Sequence, residues 1–423
     1  MTTFFDWTRT RLQSINSQPN NLSLIRLLSS FGCLLIISAA VFAQPATGTV
    51  ERFSLKSAVL GEERVVLVRT PAGYEANKLS YPVLYMTDGD AHMGHTSSTI
   101  EFLTQNGRIP DLIVVGVTNT DRTRDLTPVK SSNKNAAGEL QFPTSGGADN
   151  FLKFFETELI PQIEKEYRVQ PYRILAGHSL GGLFAIHAMI SRPGVFNSYI
   201  AVSPSLQWEN GETLNRAEEF LKHQKELKAT LFVSLGNELG PIGESFEIFE
   251  HVLAKTKIKG FEWQAERMED EDHGSVVLRS HYFGLRKVYA GWLGPRDPQT
   301  GVVSGGLKGA DEHYKKLSER FGYAIQTPEN LINQLGYQLL FNGKPEEAIA
   351  VFKANIERYP GSANVYDSLA EAYERGNRID LAEPLYDKAR VLGEQNGDPN
   401  AALFKANYER AHAKLKESQT KHP

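Results

Sequence analysis

A serine enclosed by glycines offers the clearest chemistry in the chain. Arg173-Ile174-Leu175-Ala176 runs directly into Gly177-His178-Ser179-Leu180-Gly181-Gly182, and the apolar Leu183-Phe184-Ala185-Ile186 follows. This is G-x-S-x-G in the order strand, tight turn, helix, which sets the serine on a strained turn at the top of a sheet. Gly177 and Gly181 leave room for strand, turn and helix to approach. A helix N-terminus behind Ser179 favours developing negative charge, and the Leu180 N–H points at the same spot. A serine of ordinary acidity is a poor nucleophile, so the pattern demands a base.

In such a site the chain order is nucleophile, acid, base. Beyond Ser179, His187 lies two turns into an apolar helix and reads as packed, whereas His223 and His251 fall in charged helical stretches and read as solvated. His313, His412 and His422 belong to the distal part of the chain. His273 remains, in the polar loop Glu269-Asp270-Glu271-Asp272-His273-Gly274-Ser275 that enters a helix, with His281 in reserve. The acid is expected just after the strand that ends at Leu235. Glu238 is the first choice and Glu244 the second. A carboxylate at a helix start is often only a cap, so a Ser–His dyad stays open.

A second oxyanion donor is expected from Thr87-Asp88-Gly89-Asp90, where Gly89 permits a turn that aims the N–H of Asp90, or of Ala91, toward the serine. His92 and His95 form H-x-x-H. Without a carboxylate or cysteine at matching spacing they read as pocket lining or loop hydrogen-bonding groups, and no metal site is assigned. Arg122, Arg124 and Asp125 either face an anionic substrate or form Arg–Asp pairs that brace the loop before Pro128. Bracing is favoured, with Arg122 kept as a pocket candidate. Trp208, after Ser203-Pro204-Ser205, reads equally as a pocket wall for an acyl or aryl group and as core.

These residues need a scaffold, and the rest of the chain supplies one. With 423 residues, 41% hydrophobic and 23% charged, the composition is that of a globular protein of two or three domains. A net charge of −4 argues against a nucleic-acid footprint, and the single cysteine, Cys33, excludes a disulfide framework and cysteine-based zinc sites. Residues 1–26 are polar with Arg9, Arg11 and Arg26, and an apolar run from Leu27 to Ala43 follows. Its most apolar part is short for a membrane span, and Val41-Phe42-Ala43 suits a cleavage site before Gln44. Residues 1–43 are therefore expected to be a signal peptide, which takes the mature net charge to −6 and leaves no cysteine and no membrane span. A periplasmic or secreted location follows.

From about 48 to 295, short apolar runs at 65–68, 83–86, 112–117, 173–176 and 231–235 read as buried strands, and 151–160 and 183–190 read as helices. Strands alternating with helices predict an α/β fold with a mostly parallel sheet covered on both faces. The domain is expected over 44–293. Residues 294–310 carry five glycines and two prolines and read as a linker. Beyond it, Leu335, Gly336, Ala348 and Phe352 recur 34 residues later as Leu369, Ala370, Ala382 and Tyr386. That period and pattern resemble tetratricopeptide repeats, at about 329–362 and 363–396, in an all-helical domain over 311–423 closed by a capping helix. Such repeats either dock on their own chain, self-associate or bind a protein partner.

Taken together, the chain resembles the putative-esterase family of the α/β-hydrolase superfamily, closest to its ferric-siderophore trilactone esterase-like branch beside esterase D-like enzymes, feruloyl esterases and mycolyltransferases. The resemblance covers roughly residues 50–293. It rests on Leu84-Tyr85-Met86-Thr87-Asp88-Gly89-Asp90, Asp121 to Pro128, Glu158-Leu159-Ile160-Pro161 with Tyr167-Arg168, the Gly177–Gly182 elbow, Ser203-Pro204-Ser205 with Trp208, and His273-Gly274. It implies an α/β-hydrolase fold, Ser179 and His273 as nucleophile and base, Asp90 and Leu180 as oxyanion donors, and leaves the acid open. The chemistry expected is that of an exported serine carboxylic-ester hydrolase acting on a small-molecule ester through an acyl-enzyme, with no cofactor. An acyltransferase using the same acyl-enzyme is the competing activity. A scaffold with a vestigial hydrolase domain is the competing class.

Overall fold

Uninterrupted Val, Ile and Leu runs become the central strands, because a strand covered by helices on both faces has no polar side to keep. The computed structural model describes residues 50–297, 299 and 301–421; the expected signal peptide, with Cys33 and the cleavage site after Ala43, lies outside the described residues. Eight strands form one sheet: β1 (Val50–Ser57), β2 (Glu62–Arg69), β3 (Tyr81–Met86), β4 (Ile113–Val117), β5 (Val169–His178), β6 (Ser198–Val202), β7 (Glu226–Leu235) and β8 (Lys259–Arg267). Their order is β1-β2-β4-β3-β5-β6-β7-β8. The β1–β2 and β2–β4 pairs are antiparallel, and every other neighbour is parallel.

Around the sheet lie α1 (Gly89–Gln105), α2 (Arg122–Leu126), α3 (Ala148–Phe154), which continues through a π-helical turn (Phe155–Leu159) into α4 (Ile160–Glu166), and then α5 (Leu180–Ser191), α6 (Trp208–His223), α7 (Pro241–Lys255) and α8 (Val276–Val288). The period-two alternation of a strand sorts them. Val83 and Tyr85 of β3 join a core with Phe151, Phe155, Phe184, Phe246 and Phe249, whereas Leu84 and Met86 point to the opposite face and join Ile100, Leu103, Val277 and Leu285. Thus α3–α7 cover one face, and α1 and α8 the other. Helix α5 is buried almost throughout, as expected of the helix behind the elbow.

The second face has a further cover. Past the sheet come α9 (Gly306–Phe321), α10 (Glu329–Phe341), α11 (Pro345–Arg358), α12 (Ala363–Arg375), α13 (Ile379–Asn396) and α14 (Ala401–Lys421). Ala310, Tyr314, Leu317 and Phe321 of α9 and Leu331 and Leu335 of α10 belong to the same core as Leu84 and Ile174. The Phe321 ring meets Tyr172 at 4.8 Å and Tyr289 at 5.1 Å between centroids. The glycine-rich stretch expected as a linker is partly built into the fold: Arg296 bridges Val303, Val303 and Ala310 are buried, and α9 already begins at Gly306. Its glycines serve turns, with Gly301, Gly305 and Gly306 all at positive φ. Helices α10 and α11 begin 34 residues before α12 and α13.

Candidate active site

The end of β5 makes the elbow. Ser179 takes φ 60° and ψ −113°, a conformation costly for a side-chain-bearing residue, and α5 starts at Leu180. A side chain at Gly177 would collide with the Gly181 carbonyl, so the glycines are required by close approach. The turn is sewn in place from β6, with Ser179 N–H donating to the Val202 carbonyl at 2.9 Å and Ser205 N–H donating to the Ser179 carbonyl at 3.1 Å. The Ser179 hydroxyl lies 3.3 Å from the Ser205 hydroxyl.

The loops after β7 and β8 lie side by side. Asn237 N–H donates to the Glu271 carbonyl at 2.6 Å, and a Cβ on Gly236 would sit 2.9 Å from the Glu271 and Asp272 carbonyls. This contact brings His273 Nδ1 to 2.5 Å from Glu238 Oε1, with the carboxylate largely buried and the imidazole half-exposed. A carboxylate only accepts, so Nδ1 is the donor and Nε2 is left free. The remaining Glu238 oxygen accepts from Ser203 Oγ at 2.5 Å and from Gly236 N–H at 3.2 Å. Glu244, the second choice for the acid, sits exposed in the first turn of α7.

The loop after β3 differs from expectation in one respect. The left-handed residue is Asp88, at φ 55°, and Gly89 is needed for space, since a Cβ there would meet the Gly116 backbone at 2.6 Å. The Ala91 and His92 N–H groups both return to the Asp88 carbonyl at 3.0 Å, leaving the Asp90 N–H uncommitted. Burial works against ionisation of Asp88, yet Arg122, through its hydrogen bonds and its charge, and the Asn119 amide hold the carboxyl below its ordinary range.

Arg122 gives its guanidinium to Asp88 and to the His178 carbonyl. Arg124 bonds Glu62 and Asp125, and Asp125 also pairs with the fully buried Arg64, so the Arg–Asp motif braces this corner. Trp208 donates to the Val129 carbonyl at 3.1 Å and stands 5.2 Å from the Phe142 ring, which ties it to the loop before α3. His187 is buried against Asp149, while His223 and His251 bond their own helices at the surface.

A cluster of imidazoles borders the elbow. Between ring centroids, His92 lies 5.1 Å from His95 and 5.7 Å from His178, His178 lies 4.6 Å from His273, and His281 closes the group at 5.7 Å from His95. Burial lowers the proton affinity of His92, His95 and His281, and holds His178 down to about 4 with help from the neighbouring imidazoles. Among the described residues no group of three or more His, Cys, Asp or Glu is arranged to hold a metal ion. None of their helices is long and apolar enough to cross a membrane.

A family model described as "Putative esterase" matches residues 57–273. The chain is 31% identical over 159 residues to the ferri-bacillibactin esterase BesA of Bacillus subtilis, covering 34% of this chain and 55% of that relative, so it spans little more than half the relative's length. It is 30% identical over 245 residues to the siderophore enterobactin esterase of Emericella nidulans, covering 48% of this chain and 80% of that protein. Among solved structures, an IroE-like serine hydrolase from Shewanella oneidensis is similar with a TM-score of 0.63 and 28% identity, over 74% of this chain and 99% of the other.

Proposed function

The chain belongs to the esterase family of that description, and on this premise we propose that it is an exported serine carboxylic-ester hydrolase working through an acyl-enzyme on Ser179. The observation that carries the reading is the 2.5 Å contact between His273 Nδ1 and Glu238 Oε1 beside a strained serine elbow. In the proposed reaction Ser179 Oγ adds to the ester carbonyl carbon while its proton passes to His273 Nε2. The Leu180 and Asp90 N–H groups hold the oxyanion. Collapse expels the alcohol, which takes the proton from His273. Water, deprotonated by the same imidazole, then attacks the acyl-enzyme and releases the acid. Glu238 keeps the imidazole in the tautomer this requires.

The relatives whose names specify siderophore esters support small, siderophore-type esters as the substrate class. His92 and Trp208 are read as pocket residues, and Arg122 as a brace of the oxyanion loop. The apolar run from Leu27 to Ala43, read as a signal peptide with cleavage after Ala43, supports a periplasmic or secreted location. A hydrolase domain over 44–293 and tetratricopeptide-like repeats beyond it belong to the same proposal, and the packing of α9 and α10 on the sheet favours docking of the helical part on its own chain.

Hydrolysis of p-nitrophenyl acetate, butyrate and octanoate by the purified protein, beside Ser179→Ala, tests the reading. Activity that depends on Ser179 is expected, with labelling by a fluorophosphonate. Turnover that survives in Ser179→Ala, or absence of both activity and labelling in the wild type, overturns it.

A further inference from the structure

The motif Ser203-Pro204-Ser205 leaves β6 between the nucleophile and the acid in the chain. Ser203 is wholly buried and holds φ at 39°, a region that few side-chain-bearing residues occupy. Its N–H donates to the Ser234 carbonyl at 2.8 Å, which binds it to the end of β7 just ahead of the acid. Its Oγ lies 3.4 Å from the Gly236 N–H and 2.5 Å from Glu238 Oε2. The hydroxyl has one proton. Since Gly236 N–H and the carboxylate can play only donor and acceptor respectively, that proton lies on the bond to Glu238.

Two residues on, Ser205 is bound to the nucleophile through its N–H and lies beside it through its hydroxyl. One tripeptide therefore touches both ends of the Ser179–His273–Glu238 set. We propose, resting on the reading of Glu238 as the acid, that Ser203 is a positioning residue: it captures Oε2, so that Oε1 alone faces His273 and the carboxylate cannot rotate away from the imidazole. The strained φ is the cost of bringing a hydroxyl to that oxygen from β6. Glycine would adopt the backbone freely but has no hydroxyl, and alanine has neither advantage.

The test uses the full-length protein on p-nitrophenyl butyrate and compares Ser203→Ala, Ser203→Gly, Glu238→Gln and the double variant Ser203→Ala/Glu238→Gln. Removing a hydrogen bond to a charged group is expected to lower kcat about 10-fold or more in both single serine variants, with KM within about twofold. Ser203→Gly, freed of the strain, is expected to melt no lower than wild type, which separates lost positioning from lost folding. In the Glu238→Gln background Ser203→Ala is expected to cost less than about twofold, because it acts through the carboxylate. Wild-type kcat in Ser203→Gly while Glu238→Gln is impaired overturns the role of Ser203 alone. So does a full Ser203→Ala loss in the Glu238→Gln background. Wild-type kcat in Glu238→Gln overturns the acid itself and the role of Ser203 with it.

Discussion

Arg122 and Asp88 are joined by two hydrogen bonds, Nε to Oδ1 at 2.6 Å and Nη2 to Oδ2 at 3.2 Å, and the same Nη2 donates to the His178 carbonyl at 2.9 Å. The guanidinium thus pins the left-handed start of α1 to the residue before the serine. Arg122→Lys keeps the charge but not the planar fork. It is expected to lower kcat about 10-fold, as one charge-assisted hydrogen bond is lost. A small change in KM in the same p-nitrophenyl ester assay would accompany it. A rise in KM with kcat intact would instead assign Arg122 to substrate binding.

Acid should loosen the fold through the imidazole cluster. His178 is held at about 4 by burial and by its neighbours, against roughly 6.5 in an unfolded chain. Between those values the unfolded state binds more protons, so stability is complete above about pH 6.5 and falls as pH drops toward 4. A fall from 6.5 to about 4 corresponds to about 3 kcal/mol for His178 alone at full titration. Thermal melts at pH 7 and pH 5 are expected to show a smaller loss in His178→Gln than in wild type; equal losses would place the acid sensitivity elsewhere.

Gly336 has the Phe352 ring directly against it, where a Cβ would collide. Gly336→Ala is therefore expected to cost about 1–3 kcal/mol through displacement of that ring. Gly361, with open space around it and no positive φ, is the control, and Gly361→Ala should stay within about 0.5 kcal/mol of wild type. Urea unfolding of both variants measures the difference.

Phe321 is buried between Tyr172, Tyr289 and Trp292, so Phe321→Ala is expected to cost about 3–5 kcal/mol. A single unfolding transition shifted as a whole is the expected outcome by calorimetry, because the cavity opens in a core shared by the sheet and α9.

The parts of the site that are local in sequence could be read from it. A strand, glycines and a helix specify the elbow within a dozen residues, and chain order narrows the base and acid to loops that end strands. Contacts made by residues far apart could not be read this way. His92, His178 and His281 come together only because α1, β5 and α8 converge, and Ser203 meets Glu238 only because β6 lies next to β7. Five strands stood out as apolar runs. The two edge strands did not, because β1 and β8 are exposed along much of their length and keep polar residues such as Glu51, Lys56, Gln264 and Glu266. Strand β6 escaped because Ser198-Tyr199-Ile200-Ala201-Val202 is short and begins with a polar residue that is nevertheless buried. The glycine-rich stretch misled for a related reason: glycine composition marks turns as readily as free linkers, and only the buried Val303 and Ala310 separate the two.

The shared core also bears on how such a protein can be inherited. A recombination event that cut at the glycine-rich stretch would strip an aromatic surface from both fragments, exposing Tyr172 and Tyr289 on one and Phe321 on the other. Helix α10 carries the dependence further along the chain, since its Leu331 and Leu335 belong to the core shared with the sheet while its Leu340 enters the core of Ala348, Phe352, Ala382 and Tyr386.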